Sequence, residues 1–275
     1  MDVPYQDRLR DHLARYKAAV LGIAEDGIWS RNGRPYSHIL PAERKYENLL
    51  APYREDLCRY LAAHREISLH PDFHHLNSSQ AMCLNLFFPL AVDPAGRKIL
   101  TEALGHADGM APGESWCFEK VLDAKENTNF DFLFRTNAGA TAFCEIKFSE
   151  NGFGTAKNDD RHRDKLANTY RPQLTGRVRP ALLEEDVFFP RYQLCRNFSY
   201  LRESGDLLFV VYPRKNTVLT EQLRDFLAFI NEDHRERVKV ALLEDLVPRI
   251  LALLPNDAFR LKQHYRDFAE KYLLP

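Results

Sequence analysis

The chain has 275 residues, a net charge of −1, 45% hydrophobic and 28% charged residues. There is enough apolar material for a large core, which excludes a disordered or fibrous chain, and the balanced charge excludes a basic field over the whole surface. No apolar run approaches a membrane span, and the opening MDVPYQDRLRDHLARYK lacks a secretory apolar region. Five scattered cysteines, Cys58, Cys83, Cys117, Cys144 and Cys195, form no CxxC pair. The expectation is a cytoplasmic protein with reduced, mostly buried thiols.

In chain order, residues 5–24 have helical periodicity, with Leu9, Leu13, Tyr16 and Val20 along one face. A loop follows over 25–41, punctuated by Gly27, Gly33, Pro35 and Pro41, and a second helix is expected from Ala42 to about Ala63. His70, His74 and His75 have a spacing that would hold zinc on a helix, but Pro71 and the absent third ligand type argue against it. Ser78 and Ser79 read as N-cap residues for AMCLNLFFPL, which is apolar almost all round and therefore buried. Gly96–Leu104 continues as a second helical piece.

Trp116–Leu122 is the expected first strand of a sheet, with Glu119 on the face of Cys117 and Val121, opposite Phe118 and Leu122. Glu119 then either joins other carboxylates or pairs with Lys120 or Lys125 at the edge. The stretch Asn129–Glu150 reads as a β-hairpin. Its first arm puts Phe130, Phe132 and Phe134 on one face, Asp131 and Leu133 on the other. The turn Asn137-Ala138-Gly139-Ala140 supplies Asn and Gly for positive φ. The second arm puts Phe143, Glu145 and Lys147 on one face. Two carboxylates and an ammonium thus converge among apolar strand residues, where unpaired charge is expensive. A lysine offsets part of that charge, and Mg²⁺, which takes carboxylate oxygens, water and phosphate, would offset the rest. Spacing alone also allows an exposed hairpin with an ordinary cross-strand Glu–Lys pattern.

Residues 151–180 carry a net charge of +4, the most basic stretch of the chain. Lys157, Arg161, Arg163 and Lys165 there are candidates for a phosphate backbone, or for a solvated charged loop; a short helix over Asn158–Tyr170 is expected. Pro190 opens a helix that Gly205 closes, with Leu194, Phe198 and Leu201 buried and Gln193, Asn197 and Tyr200 on an adjacent polar stripe. Leu207–Tyr212 is a continuous apolar run, as in a strand buried on both faces. The remainder alternates helix, strand and helix and extends the sheet by one strand.

Asp131 followed after thirteen residues by Glu145-Ile146-Lys147 resembles the active-site motif of the PD-(D/E)xK nuclease superfamily, the restriction-endonuclease-like fold, although Asn129-Phe130 stands where the motif's name has proline. NSSQAMCLNLFFPL and EIKFSENGFG also resemble a bacterial family of uncharacterised restriction-endonuclease-like proteins; the likeness runs from Gly27 to Tyr212, strongest from Asn77. The resemblance implies an α/β fold with a central mixed β-sheet flanked by helices. We expect one domain: a helical N-terminal part (1–75), a catalytic core (76–215) and a C-terminal α/β extension (216–275). It implies a Mg²⁺-dependent endodeoxyribonuclease in which Mn²⁺ substitutes, acting on DNA. Asp131, Glu145, the Ile146 carbonyl and Glu119 would bind metal, and Lys147 would orient or help deprotonate the water. Gln193 would touch the site, Gln80 would reach it or bond locally, and an early-helix acid such as Glu47 would be an extra ligand. Many relatives dimerise to cut both strands. The competing expectations are a nucleic-acid-binding module of the same fold without catalysis, and a non-nuclease metal-dependent hydrolase built on the three histidines.

Overall fold

The computed structural model describes residues 3–123 and 128–274. The N-terminal part contains α1 (Tyr5–Ala19), a small hairpin of β1 (Gly27–Trp29) and β2 (Arg34–Tyr36), and α2 (Arg54–Ala63). Two helices follow, α3 (Ser79–Val92) and α4 (Pro94–Ala103), then β3 (Trp116–Asp123), β4 (Thr128–Arg135) and β5 (Thr141–Ile146). Three short helices, α5 (Asp160–Lys165), α6 (Arg171–Leu174) and α7 (Glu185–Phe188), lead into α8 (Tyr192–Ser199) and β6 (Leu207–Tyr212). The chain ends with α9 (Thr217–Leu227), α10 (Glu232–Arg235), β7 (Val238–Leu242), α11 (Leu243–Leu253) and α12 (Phe259–Tyr272).

The main sheet has the order β3-β4-β5-β6-β7; its first three strands are antiparallel, and β5, β6 and β7 run parallel. This mixed sheet, covered by helices on both faces, is the expected restriction-endonuclease-like core. β7 adds the one strand expected from the C-terminal part. On one face Phe132, Phe134, Cys144, Ile146, Phe209 and Val211 pack with α1, α3, α11 and α12. On the other, Phe130, Leu133, Phe143, Leu208, Val210 and Tyr212 pack with α8, α9 and the segment before them. β6 feeds both cores, so a continuous apolar sequence is the only one that suits it.

α3 is buried along Ala81–Ala91, and Ser78 caps it by accepting from the Ala81 N–H at 3.3 Å. Its Phe87 ring stacks on Phe132 with centroids 4.6 Å apart, which holds the helix against the sheet. Gly27 opens the small hairpin because a Cβ there would stand 2.1 Å from the Leu40 carbonyl oxygen.

Local details depart from the sequence reading. The helix expected over 42–63 is a 3-10 turn (Ala42–Asn48), a second turn (Ala51–Tyr53) and then α2, because Pro52 lacks the N–H that a continuous helix needs there. α1 stops at Ala19, so Val20, expected on the buried face, is 47% exposed. α8 begins at Tyr192 and ends at Ser199, well before Gly205, with Phe189–Arg191 as a separate 3-10 turn around Pro190. In the hairpin turn only Gly139 takes positive φ (+86°), while Asn137 does not.

Candidate active site

Glu145 sits near the end of β5, facing α8, and is 3% exposed. Three donors surround it: Lys147 Nζ at 3.0 Å, Gln193 Nε2 at 2.5 Å and Asn197 Nδ2 at 2.8 Å. Gln193 and Asn197 are one helical turn apart on α8, so the same helix face delivers both amides. Gln193 is itself held from behind, its Oε1 accepting from the Gly154 N–H at 2.7 Å. Gln193 thus meets Glu145, one of the carboxylates expected to bind metal. Asn197, not among the residues expected to act, joins Gln193 at Glu145, and its i+4 place on the polar stripe is the sequence signal for it.

Asp131 on β4 reaches across to β5, its Oδ2 accepting from the Ile146 N–H at 2.6 Å. Burial, then the Glu145 and Glu119 carboxylates, push its pKa well above the usual carboxylate range; Lys147 and the Ile146 N–H pull only weakly the other way. Lys147 is mostly buried. Burial alone would lower its pKa, but Glu145, Glu150 and Asp131 outweigh that and hold it above the usual lysine range. The ammonium is therefore charged at neutral pH.

Glu119 is the only non-glycine residue with positive φ (+49°) among the described residues. The β3–β4 ladder pairs Phe118 with Phe132 and Lys120 with Phe130, and the Glu119–Asp131 step between them is unpaired. This break overturns two expectations. Glu119 leaves the Cys117 face to meet Gln80 at the start of α3, and Phe130 crosses to the face of Phe143, with rings 4.6 Å apart. On β3 the left-handed Glu119 turns its own side chain off the alternation, and on β4 the alternation breaks at the facing unpaired Asp131 step. Gln80 Nε2 donates to Glu119 Oε1 at 2.9 Å, and Asn129 Nδ2 donates to the other oxygen. Gln80 also bonds locally to His70 and Ser68, as a residue at a helix start would. Burial raises the Glu119 pKa. Glu119 makes no ion pair with Lys120 among the described contacts, and Lys125 lies outside the described residues.

The remaining predicted residues lie elsewhere. Glu47 is bound by Arg44 through two contacts of 2.5 and 2.7 Å. The histidines do not converge: the His70 ring accepts from the Asp72 N–H, His74 Nε2 bonds the Ile28 carbonyl, and His75 Nε2 stands 3.5 Å from Asp72. In the basic stretch, Asp159 caps α5, Lys157 and Arg161 are exposed, and Arg163 is tied to Asp160 at 2.5 Å and to Asn158; Lys165 on the same helix is half-buried. Arg171 and Arg177 bond backbone carbonyls and hold the segment to the fold.

A cleft of about 680 Å³ opens beside these carboxylates and includes Glu119, Asp131 and Glu150 in its lining, whereas Glu145 and Lys147 stand outside it. A cavity of about 830 Å³ near the opposite end of β5, bordered by Tyr60, Trp116 and Asp206, contains none of the predicted site residues apart from their strand neighbours. Glu145, Glu150 and Asp131 act on a single ammonium and Glu119 stands beside Asp131, so carboxylates outnumber the cation, and Asp131 Oδ1 takes no hydrogen bond from a described residue. That donor set suits an oxygen-seeking divalent cation. Among the described residues no three His, Cys, Asp or Glu side chains are grouped so as to hold a metal ion by themselves, so backbone, water or phosphate oxygens would have to supply much of the shell.

The sheet order, its helical cover and the acid–lysine hairpin define a restriction-endonuclease-like protein. Within that class, the chain belongs to the family described as Restriction Endonuclease associating with ARP, whose model matches residues 10–273. Neither a curated protein nor a solved structure matches the chain.

Proposed function

We propose that the protein is a metal-dependent endonuclease that hydrolyses phosphodiester bonds of DNA, of restriction or defence type. The observation that carries this reading is the meeting of Asp131, Glu145 and Lys147 from adjacent strands under the amides of α8. Asp131 and Glu145, with the Ile146 carbonyl and Glu119, would hold Mg²⁺ or Mn²⁺. Such an ion, when bound, lowers the pKa of its water and neutralises charge on the phosphate.

The chain's own residues do the rest. Lys147 is already protonated, so it donates to the attacking water or a phosphate oxygen and does not accept a proton there. Gln193 and Asn197 fix the Glu145 carboxylate, so that it need not reorganise as charge develops. Lys157, Arg161, Arg163 and Lys165 follow the catalytic strand and would contact the backbone phosphates.

The test is nicking of supercoiled plasmid with Mg²⁺ or Mn²⁺. Wild type is expected to cleave, EDTA to abolish cleavage, and Asp131→Ala and Lys147→Ala each to reduce it about a hundredfold or more. Cleavage that survives both substitutions would overturn the assignment. One observation favours a second reading, a binding module without chemistry: both Glu145 oxygens are already occupied by protein donors. DNA binding with no cleavage under any divalent cation would favour it.

A further inference from the structure

We infer that the cleft beside Asp131 takes an unpaired nucleotide, with Trp29 stacking against its base and Arg31 meeting its phosphate. The inference rests on the nuclease reading for the chemistry at Asp131, but its recognition argument comes from the opposite wall. On the sheet side the cleft is lined by Glu119, Asn129, Asp131 and Glu150. Across from them the β1–β2 hairpin and the loop before α3 contribute Trp29, Arg31, His70 and His75.

The hairpin wall combines the two elements that hold single strands, an aromatic platform and a cation. Trp29 is half-buried and meets Tyr36 and His75 only in T-shaped contacts, with centroids 5.9 and 6.2 Å away, so neither ring stacks flat on the indole. The Arg31 guanidinium stands 5.8 Å from the indole centroid. Arg31 is exposed, is the only Lys or Arg among the described lining residues, and has no carboxylate within ion-pair distance among them. The wall also has hydrogen-bonding capacity left over. Trp29 Nε1 and Asn77 Oδ1 are buried without a hydrogen-bond partner among the described residues, whereas His75 Nε2 and Asp72 Oδ1 face each other at 3.5 Å; all four belong to lining residues. Buried polar atoms are normally paired, so these two leave the wall short of hydrogen-bond partners.

Size selects the unpaired form. A cleft of about 680 Å³ is in the range of small-molecule sites and takes a nucleotide or two between its walls. A duplex is read by an element that enters its groove, and its bases are stacked out of reach of an indole. To bring its phosphate to Asp131, a strand must pass between the hairpin and the sheet, and a flipped or unpaired nucleotide does so without carrying its complement.

The experiment is fluorescence anisotropy in Ca²⁺ with a labelled single strand of about 12 nucleotides and the same sequence as a blunt duplex. The single strand is expected to bind about tenfold tighter than the duplex, and Trp29→Ala and Arg31→Ala each to weaken it about tenfold, with Trp29→Tyr close to wild type. Arg31 is exposed, so its variant tests the wall without threatening the fold. Duplex binding as tight as single-strand binding, or unchanged affinity in both alanine variants, would overturn the inference. Single-strand preference without any metal-dependent cleavage would uphold the cleft and sink the nuclease reading. Duplex cleavage unaffected by Trp29→Ala would do the reverse.

Discussion

Burial first, then the Glu145 and Glu119 carboxylates, hold Asp131 above its usual range, while Glu145, Glu150 and Asp131 hold Lys147 above its own against the effect of burial. The folded protein keeps on Asp131 a proton that the unfolded chain releases, because its folded pKa lies above the unfolded one. Stability therefore falls as pH rises from the ordinary carboxylate value, about 3.9, toward the raised one, and the full penalty stands above it. Asp131→Asn removes the penalty and still accepts the Ile146 N–H. In the absence of divalent cations this variant should melt at least about 2 °C above wild type near neutral pH, with the gap closing toward about pH 4. Calorimetry across that range checks it; a gap independent of pH would contradict the charge crowding.

Two elements position the chemistry. The short helix α8 presents Gln193 and Asn197 to a carboxylate that has almost no contact with water. Asn197→Ala leaves one buried oxygen of Glu145 without its donor, which should cost about 1–3 kcal/mol in urea unfolding. If the proposed chemistry holds, it should lower kcat about tenfold with little change in KM. The small hairpin is the second such element. Gly27→Ala should push β1 away from Leu40, destabilising the protein by about 1–3 kcal/mol and weakening single-strand binding more than Mg²⁺-dependent stabilisation. Equal loss of both would show that the hairpin is only structural.

Across the whole molecule, a buried polar network ties the N-terminal part to the C-terminal helix. Asn85 accepts from the Leu50 N–H and donates to the Asn48 carbonyl and the Tyr272 hydroxyl, while Lys271 donates to Asn48 and His264 bonds the Asn85 carbonyl. Asn85→Leu strands several of these groups at once and should cost about 2–5 kcal/mol. The same burial pushes His264, and likewise His38 and His75, down to about 4. The unfolded chain binds those protons first, so stability present above about pH 6.5 is lost as pH falls toward 4. Asp131 acts with the opposite sign. The acid loss should therefore be read in the Asp131→Asn background, where the melting temperature is expected to fall between about pH 7 and pH 5.

Much was legible before any coordinates. The alternation in Phe143–Lys147, the all-apolar α3 and the continuous β6 each have one physical solution, because apolar side chains at period 2 or 3.6 must face a core. Periodicity marked Gln193 only as one of a polar stripe on α8, and the resemblance singled it out. The resemblance of the Asp131–Lys147 motif added the fold. What tertiary structure alone decided lies where local rules conflict. The left-handed Glu119, off its expected face, is held by Gln80 from a helix 39 residues earlier, and Phe130 leaves its expected face beside the facing unpaired step. Trp29 and Arg31 line one cleft with the carboxylates, where a glycine lets the hairpin close against Leu40. Sequence periodicity determines which face of an element is buried; which elements share a cleft depends on long-range packing that no local pattern encodes.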